Sequence, residues 1–225
     1  MFRVVLIRPE TPGNIGAVAR AMKNFGFEKL VLVDPCELTE EAAKRAKHAK
    51  SLLKNAEVKD EMNWSEYDLT VSTSSETGGG YNVVRNAVTP GTLREKLGGV
   101  EGEVGLVFGP ESKGLRNEEI KKSDLLCHIP ASDEYPVFNL SHAVAMILYE
   151  LSKREGEGKT YELAGGREKE VLLEQLDGII EKTGVEDYRH EPLRQSLKNT
   201  LGRAMLAKRE ANTLIGFFRR VKEKL

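Results

Sequence analysis

Five short runs in the first two thirds of the chain, 4–7, 30–33, 69–71, 104–108 and 125–129, are apolar and largely β-branched without alternating with polar residues. Unbroken apolar character marks strands covered on both faces, so these runs predict a mainly parallel sheet. Helical patterns lie between them. Residues 14–25 end at Gly26, and residues 39–56 place Glu40 and Glu41 in their first turn. Residues 139–151 carry Val144, Met146, Ile147 and Leu148 over several faces. Strands and helices in this order predict a doubly wound α/β domain with helices on both faces of the sheet.

The pattern changes after residue 152. Residues 153–166 are polar and glycine-rich and read as a connection. Helical periodicity returns over 167–183 and 191–224, where Leu197, Leu201, Met205, Ile215 and Phe218 supply apolar faces. The expected organisation is an α/β domain over 1–155, a linker over 156–166 and a small α-helical unit over 167–225, with no internal repeat.

Composition narrows the function classes only slightly. The chain has 225 residues and a net charge of −1, so no overall basic excess points to nucleic acid. Two cysteines, Cys36 and Cys127, are too few for a disulfide framework. The sequence shows neither a signal-peptide pattern nor an apolar stretch near the roughly 20 residues needed to span a bilayer, and the expectation is a cytoplasmic protein with no membrane partner. Charge distribution says more. From Tyr188 onward, ten basic residues face three acidic ones, while the rest of the chain is acidic. That asymmetry suggests either a polyanion contact confined to the C-terminal end or a solvated helical face. Lys44, Lys47, Lys50 and Lys54 recur at helical spacing and leave the same two alternatives open.

Three turn segments carry the candidate chemistry: 9–20 (PETPGNIGAVAR), 108–115 (FGPESKGL) and 129–141 (IPASDEYPVFNLS). Each follows a predicted strand and mixes glycine or proline with polar side chains, as a chain does when backbone and a few polar groups approach a ligand. In the first, Asn14 is placed to cap the helix. Ile15, Val18, Met22 and Phe25 then share one face, with Arg20 nearly opposite, free to meet a phosphate, a substrate or another subunit. In the second, Gly109 lets backbone come close to a ligand and Glu111 sets a carboxylate beside it. In the third, Asn139 and Ser141 are either helix caps or site residues. No GxxxxGK[ST] is present, and no GxGxxG follows the first strand, which disfavours a P-loop or a conventional dinucleotide site. Cys36, Cys127, His48, His128 and His142 have no metal-ligand spacing, so no metal is expected. The run Gly78, Gly79, Gly80 reads as a flexible loop over the site.

In this order and spacing the three segments resemble the signature of the SPOUT class of methyltransferases, in particular its SpoU or TrmH-like group. The matching residues are Asn14, Gly16 and Arg20, then Gly109, Glu111, Gly114 and Leu115, then Pro130, Asn139, Leu140 and Ser141. Residues 201–217 (LGRAMLAKREANTLIGF) also look like the C-terminal region of the TrmJ branch, which methylates the ribose 2′-hydroxyl of anticodon-loop nucleotide 32 in tRNA.

The resemblance implies a C-terminal trefoil knot in the α/β domain, a homodimer, and S-adenosylmethionine as methyl donor. It implies cofactor contacts from Thr73, Ser74, Ser75, Gly109, Ile129, Val137, Phe138 and Asn139, and catalytic roles for Arg20, Asn139 and Glu111. RNA contacts would come from Asn14, Arg20, Arg203, Lys208 and Arg209. Because an arginine is always charged, a phosphate-binding and alkoxide-stabilising role suits Arg20 better than that of a base. Asn139 and Glu111 would order the site, Glu111 being the weaker candidate for direct proton handling. One position departs from the pattern: where many relatives carry serine two residues before the motif asparagine, this chain has Val137, so any mechanism needing that hydroxyl is in doubt. A methyltransferase of ribosomal RNA and a catalytically inactive RNA-binding protein on the same fold are the alternative readings.

Overall fold

The computed structural model describes residues 1–75, 87–153 and 161–225. The chain opens with strand β1 (Phe2–Ile7), helix α1 (Pro12–Asn24) and strand β2 (Lys29–Val33). The single helix expected over 39–56 is interrupted. Helix α2 (Glu40–Ala46), with the Thr39 side chain accepting from the Glu41 amide, gives way to a 3₁₀ turn (Lys47–Ala49) and helix α3 (Lys50–Lys54). The break falls at Lys47, whose φ of 51° is incompatible with a continuing right-handed helix.

Strands β3 (Glu57–Lys59), β4 (Leu69–Thr73) and β5 (Ala87–Val88) follow, then helix α4 (Pro90–Leu97) and strands β6 (Val100–Glu101) and β7 (Val104–Phe108). Helix α5 (Asn117–Lys122), strand β8 (Leu125–Cys127) and helix α6 (Leu140–Ser152) complete this part. The seven-stranded sheet has the order β3-β2-β1-β7-β4-β8-β5, and its pairings are parallel. The two-residue strand β5 and the short helices α4 and α5 carry too little apolar periodicity to stand out in the sequence.

Both faces of the sheet are covered, which explains the unbroken apolar runs. Val4, Leu6, Leu32, Val71, Leu106 and Phe108 pack on one side with Ile15, Val18 and Met22 of α1 and Val144, Ile147 and Leu148 of α6. Val5, Ile7, Val31, Val33, Val107 and Leu126 pack on the other with Tyr67, Leu115 and Ile120. Successive residues of a strand thus feed opposite layers. Only one stripe of α6 is fully buried; Tyr149 remains half exposed.

The last part of the chain is helical: α7 (Gly166–Lys182), α8 (His190–Ala204) and α9 (Lys208–Lys224), preceded by strand β9 (Tyr161–Glu162), which pairs with β6. The helix expected over 191–224 is two helices, because Met205 adopts the left-handed conformation (φ 50°, ψ 54°) and turns the chain. Of the expected linker, residues 156–160 lie outside the described residues, and the stretch from 161 is structured, with Leu163 and Ala164 buried. The glycine run at 78–80 also lies outside them. Among the described residues, no helix is long and apolar enough to cross a membrane.

Helices α7 and α8 dock at the N-terminal edge of the sheet. The Asp124 carboxylate, just before β8, accepts from the Thr70 amide and hydroxyl at 2.8 Å each and from Lys169 Nζ of α7 at 2.9 Å. Lys198 of α8 donates to the Lys121 carbonyl at 2.8 Å, and a Cβ on Gly202 would stand 2.5 Å from the Asp124 carbonyl oxygen.

Candidate active site

The strand register brings the three turn segments together. Leu6 of β1 is level with Phe108 of β7, Val107 with Ser72 of β4, and Thr73 with Cys127 of β8, so the loops leaving these strands emerge along one edge. β1 and β7 adjoin although far apart in sequence, and the carboxyl ends of strands at such a reversal are where open α/β sheets bind ligands. A cleft of about 500 Å³ occupies this edge, a volume typical of cofactor sites.

Its lining includes Thr73 at the end of β4 with Ser74 and Ser75 beyond it, Gly109 to Arg116 after β7 with Asn117 at the start of α5, and Ile129, Pro136, Val137 and Phe138 after β8, with Leu140 and Ala143 of α6. Seven of the eight residues expected to hold the cofactor therefore line one cavity; Asn139 stands just outside it. Gly109 is required by a close backbone approach, since a Cβ there would lie 2.3 Å from the Leu115 nitrogen and 2.4 Å from the Gly114 carbonyl carbon. Gly114 closes the same turn, with a φ of 63° and its amide donating to the Pro110 carbonyl at 2.9 Å.

A directed hydrogen-bond chain links all three segments. The Glu111 carboxylate accepts from the Glu10 amide at 2.8 Å, the Thr11 amide at 3.2 Å and Asn14 Nδ2 at 2.8 Å. Asn14 Oδ1 accepts from Asn139 Nδ2 at 3.1 Å, and Asn139 Oδ1 accepts from the Ser141 amide at 2.9 Å and its hydroxyl at 2.8 Å. An ionised carboxylate only accepts and a backbone amide only donates, so the two ends of the chain fix the orientation of both amide side chains. Asn139 is at once the N-cap of α6 and the link to Asn14.

Asn14 is not the cap of α1. The helix begins at Pro12 with Thr11 as N-cap, and the Thr11 side chain makes no capping bond. Glu111 instead arrives from the β7 loop and neutralises amides at the positive end of α1. Burial pushes the Glu111 carboxyl up, but the hydrogen bonds from Asn14, Glu10 and Thr11 outweigh it and hold the group below the usual carboxylate range.

Two further links were not foreseen in the sequence. The Glu10 carboxylate accepts from the Ser112 amide at 3.2 Å and hydroxyl at 2.6 Å, answering in the opposite direction the bond that the Glu10 amide donates to Glu111. Arg8 clamps Glu119 of α5 through two bonds of 2.7 and 2.9 Å, and Glu119 also accepts from the Arg116 amide at 2.7 Å. Only the residue types signalled these pairs; partners about a hundred positions apart are set by the adjacency of β1 and β7.

Arg20 stands apart. It is exposed, does not line the cleft, and its side chain has no hydrogen bond or ion pair among the described residues. The three tail residues also differ from one another. Arg203 and Arg209 are exposed, whereas Lys208 is held by Glu162 at 2.7 Å.

Residues 1–149 match the SpoU rRNA Methylase family. Over 227 residues the chain is 38% identical to the tRNA (cytidine-2′-O-)-methyltransferase TrmJ of Methanocaldococcus jannaschii, covering 97% of this chain and 99% of the relative. It is 33% identical over 237 residues to the tRNA (cytidine/uridine/adenosine-2′-O-)-methyltransferase TrmJ of Pseudomonas aeruginosa, covering 96% and 91%. The crystal structure of TrmJ from Z. mobilis superposes with a TM-score of 0.77 at 26% identity over 99% of both chains.

Proposed function

The chain belongs to the SpoU rRNA Methylase family, and on that footing we propose that it is an S-adenosylmethionine-dependent methyltransferase acting on the ribose 2′-hydroxyl of tRNA, at anticodon-loop nucleotide 32. The observation that carries tRNA over ribosomal RNA is the length of the match. The likeness to a tRNA methyltransferase runs past residue 149 through the C-terminal helices, covering 97% of this chain. Cytidine is named as a target in both relatives described above, so cytidine is the base to test first.

The cleft suits the cofactor chemically. The ends of β7 and β8 offer backbone donors and acceptors at Gly109 and Ile129, while Leu115, Val137, Phe138, Leu140 and Ala143 offer apolar walls. S-adenosylmethionine bound there would supply a methyl group on a sulfonium, open to displacement at carbon. The chain has to align the ribose hydroxyl and stabilise the charge that develops on its oxygen. Arg20, permanently charged, takes that role while holding an adjacent phosphate.

Glu111 is not the base in this reading. An ionised carboxylate occupied by three donors orders the start of α1 and, through Asn14 and Asn139, the start of α6. Val137 lines the cleft without a hydroxyl, so proton removal does not pass through that position.

Arg20 lies outside the cleft of its own chain, and a homodimer that presents it to the partner's cleft completes the site. The partly exposed side of α6 around Tyr149 supports such a contact. The reading also includes the trefoil knot, supported by the parallel neighbours β7, β4 and β8 and by Pro130 and Pro136 stiffening the passage into α6. Residues 167–225 form a helical extension contacting tRNA through Arg203 and Arg209, with Lys208 in a mainly structural role.

The test is transfer of labelled methyl from S-adenosylmethionine to an unmodified tRNA transcript, followed by mapping of the modified nucleotide. Methylation at a ribose of nucleotide 32 is expected, and Arg20→Ala should reduce turnover by about 100-fold or more while binding of S-adenosylmethionine persists. No transfer to any RNA at saturating cofactor would sink the enzyme reading.

A further inference from the structure

The buried Ala46 and Ala49 flank the interruption between α2 and α3, but the Lys47 side chain at the break packs against nothing that requires it. Its φ of 51° with ψ of −113° is a conformation that a residue with a Cβ enters at a steric cost and glycine enters freely. Yet the side chain is exposed and has no hydrogen bond or ion pair among the described residues. Unusual backbone of this kind persists where the surroundings hold it in place, and it concentrates at functional sites.

The surroundings are cationic and adjoin Arg20. α1 and α2 run side by side in register: a Cβ on Gly13 would meet Glu41, one on Gly16 would stand 2.1 Å from the Ala42 carbonyl oxygen and 2.9 Å from the Arg45 Cβ, and Lys23 Nζ donates to the His48 carbonyl at 3.0 Å. Arg20 lies between Gly16 and Lys23 on α1, and therefore alongside residues 45–48. Arg45 and Lys50 are exposed and, like Arg20, make no ion pair among the described residues. The acidic groups of α2, Glu40 at 3.7 Å from Lys44 and Glu41 beside Gly13, both sit in its first turn, and neither forms an ion pair with Arg45 among the described residues.

We infer that Arg45, Lys47 and Lys50 form an RNA backbone-binding surface continuous with Arg20, which holds phosphates of the substrate tRNA flanking the methylated nucleotide. The inference rests on the ribose methyltransferase reading and extends the RNA contact to a face that the basic C-terminal helices do not supply. Cationic side chains with no ion-pair partner among the described residues, on one contiguous face, match a polyanion's regularly spaced charges. Lys47 holds its charge at a backbone position where glycine would relax the chain, so binding and stability pull in opposite directions at that residue.

The experiment measures binding of an unmodified tRNA transcript across a salt series, with melting temperature and calorimetric binding of S-adenosylmethionine recorded for each protein. Lys47→Gly is expected to melt higher than the parent, bind the transcript several-fold more weakly, and bind S-adenosylmethionine unchanged. The triple variant Arg45→Ala, Lys47→Gly, Lys50→Ala should flatten the salt dependence by about two to three units of slope. If the parent methylates the transcript and the triple variant binds it with the parent's affinity and slope, the surface is not used and the inference falls alone. If the parent shows no salt-dependent binding to the transcript, the ribose methyltransferase reading falls and takes the inference with it. A lower melting point for Lys47→Gly would overturn the opposition between stability and binding.

Discussion

Three donors converge on the Glu111 carboxylate, and that convergence makes it an anchor. Because its folded-state carboxyl titrates below the usual range, it contributes stability that is complete above that range and is lost as the pH falls through the depressed value. Glu119, pushed up by burial but held down more strongly by Arg8 and the Arg116 amide, acts with the same sign. Glu111→Gln should therefore cost about 1–2 kcal/mol at neutral pH. It should also reduce the loss of stability between neutral and acid pH, as read by urea titrations at several pH values. An acid limb as steep as the parent's would show that Glu111 is not among the titrating groups. Gly109→Ala tests the second turn. Its new Cβ can be placed only by moving backbone at Gly114 and Leu115, so binding of S-adenosylmethionine should weaken by at least about tenfold, with stability lower by about 1–3 kcal/mol. Residue type was readable at both positions, but a carboxylate beside a glycine does not reveal that a helix start elsewhere needs that carboxylate.

At the scale of elements, apolar runs translated well into strands, since a strand covered on both faces has to be apolar throughout. Residues 104–108 were placed to the residue, and the helix expected at 139–151 is observed as Leu140–Ser152. The two long helical expectations failed for one physical reason. Lys47 and Met205 take positive φ without being glycine, and composition does not mark such positions. The close contact of α1 and α2 depends on Gly16, so Gly16→Ala should force the helices apart and cost about 1–3 kcal/mol by chemical denaturation. It should disturb Arg20, one turn further along α1, and lower methyl transfer more than binding of S-adenosylmethionine. Equal losses in both would separate helix packing from the placement of Arg20.

For the molecule as a whole, the question is whether the C-terminal helices unfold with the sheet. Asp124 joins Thr70 to Lys169, and a Cβ on Gly166 of α7 would lie 2.8 Å from the Ser65 carbonyl oxygen, next to Trp64. Trp64 is the only tryptophan, and it packs against the second core layer, so its fluorescence reports on that junction. Unfolding followed by Trp64 fluorescence and by far-ultraviolet circular dichroism should give coincident transitions. Asp124→Ala should lower stability by about 2–3 kcal/mol, because it leaves the Thr70 amide without its acceptor and Lys169, which keeps the Asp68 carbonyl, without its counter-ion. Separate transitions would show residues 167–225 to be an independent unit.

Strand positions, the covered sheet and the three turn segments were legible in residue order, because apolar continuity and the glycine, proline and asparagine content of turns act within a few residues. Which of those turns meet was not, since β1 and β7 are neighbours only through strand order and register. The bonds from Glu111 to Asn14 and from Asn14 to Asn139 join residues 97 and 125 positions apart. Nor could residue order show that Arg20 stands outside its own cleft and beside the cations of α2. Those facts belong to packing, where long-range contacts select one arrangement among the many that the same local preferences allow.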